Sequence, residues 1–547
     1  MILDPVADPW VLKQKRMVKK WVKKKWFWIG LVILCGGLIY WSVQKKPVLS
    51  RQINQWLNRE TQGLYSIRFD RIEMDEISGR IRIHGLQVNF HSSVFKKLQA
   101  KDQAPAQLIK AYVPILEIKG LDMPQVLLNG SIQLDSLRLE SPQVLVLLTG
   151  EKGKDKKQAR VRKSQVLIHS ILIKAAEVQI KEQYDLSEIA RVEIDSLGGE
   201  GITSLDLNED PLPVEAIRFQ VSQFYWNSLP GIYRVEGNGL KVDSKMEAVA
   251  LEEFRFIPLL SKTKFMHQRK TQTDRVDFGL RGLRFFGWRI GEQSMDRCQM
   301  DSAAISDLEV ALYRDRRLPH DKRNRLDQIP SSLLSSLKIG LRIPQLSIAN
   351  GILTYEELSP VTDSSGTIRF DRIRAVLTNI DSRAETGNLN ARIHCRVQQE
   401  TELKTVWNFR LGDPRARFSF SGRMGQARLH AFNPLAMPLG LARFESGRVQ
   451  DLHYAFEGDK HLMKGVVHLR YNDLRVALMR TNQEYPGLAK RKFASGIANL
   501  VLPNENPQRN GKERVAYPSQ ERESDRSFFR FAWNALFTGV KEVAGMP

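Results

Sequence analysis

Residues 78–90 read SGRIRIHGLQVNF. In an extended chain Ile81 and Ile83 point to one face, and Arg82 and His84 to the other. After Gly85 the parity shifts, and Leu86, Val88 and Phe90 carry the alternation on. The spacing is Φ-x-Φ-x-x-Φ-x-Φ, where Φ is apolar. Period-two alternation predicts a half-buried strand. The doubled x predicts a β-bulge or a bend, which returns the apolar side inward after one extra residue.

The same spacing recurs. It holds Ile67, Phe69, Ile72 and Met74; Leu116, Ile118, Leu121 and Met123; and Ile132, Leu134, Leu137 and Leu139. It returns with Phe278, Leu280, Leu283 and Phe285, and with Leu341, Ile343, Leu346 and Ile348. The last copies are Ile368, Phe370, Ile373 and Ala375, then Leu469, Tyr471, Leu474 and Val476. In a chain that is 42% apolar, chance supplies such a pattern roughly twice. Eight copies are an excess, so one strand grammar is reused. Their irregular spacing rules out a clean solenoid period.

Turn formers surround the copies, and helices are few. Residues 65–480 are therefore expected to be mainly β: one elongated, curved, mostly antiparallel sheet with an apolar and a polar face. No linker appears at the intervals a row of sandwiches would need. The polar stretches 151–163, 261–275 and 313–325 read as hairpin tips, and GGEG at 198–201 as a turn. An apolar sheet face must be covered. Either the sheet folds on itself into a packed core, or the face is a groove for something apolar; the pattern leaves both open.

Lys and Arg number 83 against 61 Asp and Glu, a net charge of +22 over 547 residues. That balance favours anionic partners, nucleic acid or a membrane surface. The tail 1–25 is strongly basic, and 26–43 (WFWIGLVILCGGLIYWSV) carries no charge. Eighteen helical residues span about 27 Å, close to a hydrocarbon core. Trp26, Trp28, Tyr40 and Trp41 stand at its ends as interfacial aromatics do. The reading is one uncleaved transmembrane helix with a cytoplasmic N-terminus and the bulk across the membrane. A juxtamembrane helix is expected at 47–64. Nucleic acid then becomes an unexpected partner. Cys298 and Cys395 face an oxidising compartment, and either pair or stay separate as buried thiols.

Beyond residue 480 the composition changes. Residues 481–526 are expected to be a flexible linker, followed by an amphipathic helix over 527–545. Phe529, Trp533, Leu536, Phe537 and Val540 share one face of it. That face is expected to touch a membrane or a partner, with a lid over the end of the groove as the alternative. No GxxxxGK[ST], GxSxG or HExxH occurs, His394-Cys395 reads as an alternating strand pair, and Glu356-Glu357 as solvated. With no catalytic constellation, metal set or cofactor motif, the chain is expected not to be an enzyme.

The Lys-rich start, the span and INQWLNRETQGLYSIRFDRIEMDEISGRIRIHGLQV resemble the beginning of AsmA-like proteins. Residues 418–478, with Asn433-Pro434, Ser446-Gly447, Gly465, Tyr471 and Leu474, resemble that family's closing region. The middle is similar only in style, and the chain is shorter than the large members. The resemblance implies an inner-membrane protein of a Gram-negative bacterium that reaches into the periplasm. It implies a groove holding phospholipid acyl chains and a part in outer-membrane biogenesis or integrity. The outer membrane or an envelope protein would be the partner at the C-terminal end. The expected groove lining is Ile67, Phe69, Ile81, Ile83, Leu134, Leu139, Leu341, Ile343, Ile368, Phe370, Leu469 and Tyr471. The rival class is a non-enzymatic envelope assembly factor with a packed β core.

Overall fold

A computed structural model describes residues 61–75, 80–120, 132–150, 166–203, 214–228, 231–288, 297–481, 488–490 and 502–546. The expected basic tail, membrane span, most of the juxtamembrane helix and the basic stretch 151–163 lie outside these residues. Strands hold 60% of the chain and helices 12%, so the helices serve as covers rather than as a layer of their own. Strand pairing is mostly antiparallel. Among the described residues the chain forms two compact units, where the sequence suggests one uninterrupted groove.

The first unit holds the described residues up to Phe254, with Phe286–Arg297. Its strands are β1 (Tyr65–Arg68), β2 (Arg71–Asp75), β3 (Arg80–Phe90), β4 (Gln107–Lys119), β5 (Ile132–Glu140) and β6 (Gln143–Leu148). Then come β7 (Val166–Glu182), β8 (Glu188–Ile202), β9 (Ala216–Asn227), β10 (Tyr233–Asp243) and the start of β11 (Ala248–Pro258). Helix α1 (Ser92–Ala100) joins β3 to β4 and buries Phe95.

The doubled x of the sequence phrase has a consistent backbone form. In five of the eight copies the second x is left-handed: Gly85, Gly120, Gly282, Arg372 and Asp473. Such a residue turns the strand's apolar side back inward after the extra step. At Gly85 (φ 62°) the reason for glycine is double. Left-handed backbone disfavours a Cβ, and a Cβ there would collide with the Asp70 carboxylate. Asp70 is held in that place by its own N–H, which donates to the His84 carbonyl at 2.9 Å. GGEG at 198–201 is not a turn but the end of β8. Its Gly199 faces Ile171 and Ile217 across the ladder.

The second unit holds Arg255–Phe285 and the described residues from Cys298 on. Helix α2 (Lys262–His267) precedes β12 (Arg275–Phe286), β13 (Arg297–Gln299) and β14 (Ser302–Asp315). Helix α3 (Pro330–Ser335) leads to β15 (Gly340–Leu358), β16 (Ser365–Asp381), β17 (Asn388–Val397), β18 (Thr401–Arg410), β19 (Phe418–Met424) and β20 (Ala427–Arg428). Helix α4 (Asn433–Gly440) precedes β21 (Ala442–Gly458), β22 (Leu462–Thr481) and β23 (Leu488–Lys490). The chain ends with β24 (Val515–Ala516), β25 (Ser519–Glu521) and α5 (Phe528–Ala544).

Several polar stretches are not the solvated tips their composition suggests. Residues 261–275 carry α2, whose Phe265 is fully buried. In 313–325, Asp315 and Asp321 are buried against Arg317, Arg323 and Arg325. Glu357 is also buried, and accepts from Arg316 at 3.0 Å and from the Tyr355 hydroxyl at 2.6 Å. The neutralising partners of Asp315 and Asp321 lie two to four residues along the same stretch, while that of Glu357 comes from just past the end of β14.

The expected linker is also different. From residue 502 the chain packs along β22 through β24 and β25. Asn506 is buried and its amide closes a small network. Nδ2 donates to the carbonyls of Leu469 (2.7 Å) and Arg514 (3.0 Å), and Oδ1 accepts from the Arg514 N–H (2.8 Å). Arg522 is buried too, donates to the carbonyls of Leu326 and Arg325, and has its pKa pushed down to about 10 by burial. Local sequence gives no sign of these partners, which lie up to 197 residues away.

Cys298 and Cys395 are both free thiols. Cys395 is buried in β17, and burial raises its pKa to about 11. The adjacent His394 faces the other way and meets Glu402 at 3.3 Å, as strand alternation requires.

Candidate lipid-binding face

In the first unit the apolar positions of successive strands line up. Cross-strand partners join Ile72 to Ile83, Ile83 to Leu116, and Leu116 to Leu139. The row continues through Ile173, Leu197, Phe219 and Val242. One apolar residue from each of eight strands thus shares a single face, because directly paired residues point the same way.

Coverage changes along the row. Ile83, Leu116 and Leu139 are 1–3% exposed. They belong to a core that includes Phe95 of α1 and Leu108, Ile118, Leu134 and Ile168. Ile173 only borders that core. Leu197 and Phe219 are half-buried and belong to neither of the two core clusters. No side chain of β9 or β10 belongs to either cluster. Beside Phe219 the same face carries Val221, Phe224 and Trp226, paired with Leu240, Gly237 and Val235 of β10. The row therefore begins as a closed core and becomes half-open at Leu197 and Phe219, with Phe224, Trp226 and Leu240 half-buried beside them, while Val221 and Val242 stay buried.

The second unit has a row of its own. Leu377, Ala391, Trp407, Phe420 and Phe456 are successive cross-strand partners. Their rings stack, with Trp407 and Phe420 4.2 Å apart and Phe420 and Phe456 5.0 Å apart. Opposite Phe456 stands Gly465, where any Cβ would collide with the ring. Helix α5 lies on this ladder. Ser527 caps its N-terminus by accepting from the Arg530 N–H, and left-handed Gly545 closes its C-terminus. Phe528 meets Phe418 edge-on at 4.9 Å, and Phe531, Ala532, Ala535 and Val543 are buried with it.

The expected lining residues divide between these two cores. Ile67, Ile81, Ile83, Leu134 and Leu139 are buried in the first, with Phe69 packed against it. Ile343, Leu469 and Tyr471 are buried in the second, with Leu341 packed against it. Ile368 is buried and Phe370 half-buried in β16, outside both clusters. They do not form one shared open lining, because α1 and α5 close much of the apolar face. The face expected to contact a membrane or partner also divides. Phe529, Trp533 and Phe537 are 37–48% exposed, while Leu536 and Val540 pack against the second core. Half-open Phe219, Phe224, Trp226 and Leu240 were not among the expected residues. Phe219 to Trp226 carries the same spacing, but Tyr225 fills an x position and breaks the polar rule.

No protein-family model matches the chain, and no curated protein matches it. Among the described residues no helix is long and apolar enough to cross a membrane.

Proposed function

We propose that this chain is a membrane-anchored envelope protein that binds phospholipid acyl chains on an apolar β-face. The observation that carries this reading is the eight-strand row running from a closed core at Ile83 to a half-open face at Phe219. Each CH₂ withdrawn from water there contributes about 0.8 kcal/mol, so an acyl chain laid along half-buried Phe219, Phe224, Leu240 and Trp226 is held without any polar contact. The mechanism is passive: Val, Leu, Phe and Trp side chains replace the bilayer for the tail, and the headgroup stays in water. The likeness of both chain ends to AsmA-like proteins supports the same reading. It brings an inner-membrane anchor at 26–43, a periplasmic bulk and a role in outer-membrane biogenesis or integrity.

A second reading, a non-enzymatic assembly factor with a packed core, is favoured by one observation. Helix α5 fills the aromatic ladder of the second unit and leaves no room for a chain there.

One experiment separates the two. The full chain, purified in mild detergent, is extracted with solvent and its phospholipid quantified, for wild type, Phe219→Asp and Ile83→Asp. On the lipid reading the wild type carries phospholipid. Phe219→Asp folds and loses it, while Ile83→Asp unfolds, since an unpaired charge in a closed core is not tolerated. Wild type without lipid, or Phe219→Asp with undiminished lipid, sinks the proposal.

A further inference from the structure

The outer face of the second unit's sheet, opposite the aromatic ladder, carries a row of basic side chains. Arg374 pairs across strands with His394, and His394 with Lys404. Lys404 pairs with Arg423, Arg423 with His453, and His453 with His468. Six adjacent strands each place a cation or an imidazole in one line, about 4.8 Å apart. The next row contains Arg392, Val406, Ser421, Ala455 and Val466. Neither row contains a carboxylate.

The acids two residues along from the cationic row are engaged, while exposed Glu457 lies beyond Ala455 on the same face. Glu402 meets His394 at 3.3 Å and Asp451 meets His453 at 2.9 Å. Among the described residues no ion pair joins Arg374, Arg392, Lys404 or Arg423, and all four are exposed. A shallow depression of about 440 Å³ lies over Lys404, Val406, Arg423, His453, Val466 and His468. Like charges set directly opposite one another on a sheet are destabilising. Lys404 opposite Arg423 is such a pair, and an anionic surface would offset it.

We infer that this face docks on a bilayer surface containing anionic phospholipid. Charge complementarity supplies the attraction, at close to a Debye length or less. The occupant follows from what lies beside the cations. Val406, and beyond Ser421 the pair Ala455 and Val466, give the second row small apolar groups suited to the boundary between headgroups and tails. Among the described residues the only rings in the two rows are the imidazoles of His394, His453 and His468, the first two of which already meet a carboxylate, so no Phe, Tyr or Trp platform for stacked bases stands there. The proposal uses the polar face of the second unit and is independent of the acyl-chain reading, which uses an apolar face of the first.

The test places the full chain in discs of phosphatidylcholine and measures capture of free vesicles. These are made of phosphatidylcholine alone or with about a third phosphatidylglycerol, at low and high salt. Each basic residue near such a surface contributes roughly fivefold to affinity, so K404Q/R423Q should weaken capture about 30-fold. The charge-matched control R509Q/K512Q, on an exposed loop, should not. Circular dichroism of both variants checks that the fold is kept. Capture confined to anionic vesicles, lost in high salt and reduced by K404Q/R423Q alone, supports the proposal. Equal capture of neutral vesicles, an equal loss in the control, unchanged capture by K404Q/R423Q, or tighter binding of a single-stranded oligonucleotide overturns it.

Discussion

Two neighbouring residues of α5 make opposite predictions. Phe528 is 1% exposed and sits edge-on to Phe418 at 4.9 Å, Phe409 at 5.6 Å and Trp407 at 6.0 Å. Phe529 is 37% exposed and meets the ladder only at its edge, with the Trp407 ring 6.2 Å away. Phe528→Ala removes a buried ring and leaves a cavity, a loss of about 3–5 kcal/mol. Phe529→Ala removes only part-exposed contacts and gains helix propensity of several tenths of a kcal/mol, so the net change should stay within about 1 kcal/mol. Hydrogen exchange of the α5 amides in the full chain reads this directly, because local opening is governed by these contacts. Protection in Phe528→Ala should fall by roughly two to four orders of magnitude, and in Phe529→Ala by less than about tenfold. Equal losses in the two variants would falsify the docking of α5 on the aromatic ladder. Unchanged protection in Phe528→Ala would mean that the helix is held by something else.

Three further outcomes follow from the same packing. Gly85→Val should cost more than about 2 kcal/mol, because it adds left-handed strain to a collision with Asp70; a denaturation midpoint within error of wild type would contradict this account of the left-handed step. Asn506→Ala removes an amide that makes three hydrogen bonds and leaves buried backbone groups unpaired. It should loosen residues 502–516 by about 2–3 kcal/mol, seen as new protease cleavage there and nowhere in the first unit. Acid should destabilise the protein as pH falls from about 4.5 towards 2. Arg191, Arg428 and Arg417 hold Glu188, Glu400 and Asp413 down to about 2 in the fold. Depressed carboxylates stabilise above their unfolded pKa, and that stability is lost as they protonate. A melting temperature flat across that window would contradict it.

The strand grammar was legible because it depends only on neighbours. Ile81 and Ile83 alternate, Gly85 permits the left-handed step, and Leu86 and Val88 resume, all within eight residues. What closes the apolar face was not legible. Phe528 and Trp407 are more than a hundred residues apart, and nothing local to either says that they touch. The linker reading failed for the same reason. Residues 502–526 are polar and Pro-containing, yet Asn506 and Arg522 spend their polar groups on carbonyls of distant strands. The cationic row is a product of register: Arg374, His394, Lys404, Arg423, His453 and His468 become neighbours only when six strands pair. The half-open face was within reach, since Phe219, Val221, Phe224 and Trp226 keep the repeated spacing. The requirement that every x be polar excluded it at Tyr225.

The two apolar rows differ in a way that bears on what each can do. In the second unit the row is aromatic and rigid. Trp407, Phe420 and Phe456 stack at 4.2 and 5.0 Å, and Gly465 lacks the Cβ that would collide with the Phe456 ring. Such matched surfaces fill one another, and a tail helix is what fills them. In the first unit the row runs on through half-buried Leu197 and Phe219 to Val242, beside Val221 and Leu240, a mixture of aliphatic and aromatic groups outside the core cluster that α1 joins through Phe95. A contiguous apolar face left half-open draws partners or aggregates unless something apolar occupies it. Flexible hydrocarbon is the occupant that needs no shape complementarity. The distinction carries a prediction about Leu240→Trp. If the face is open, the larger ring is accommodated and the melting temperature holds within a few degrees, while bound phospholipid falls. If it is a closed core, overpacking costs about 1–3 kcal/mol, and stability falls before any change in lipid content.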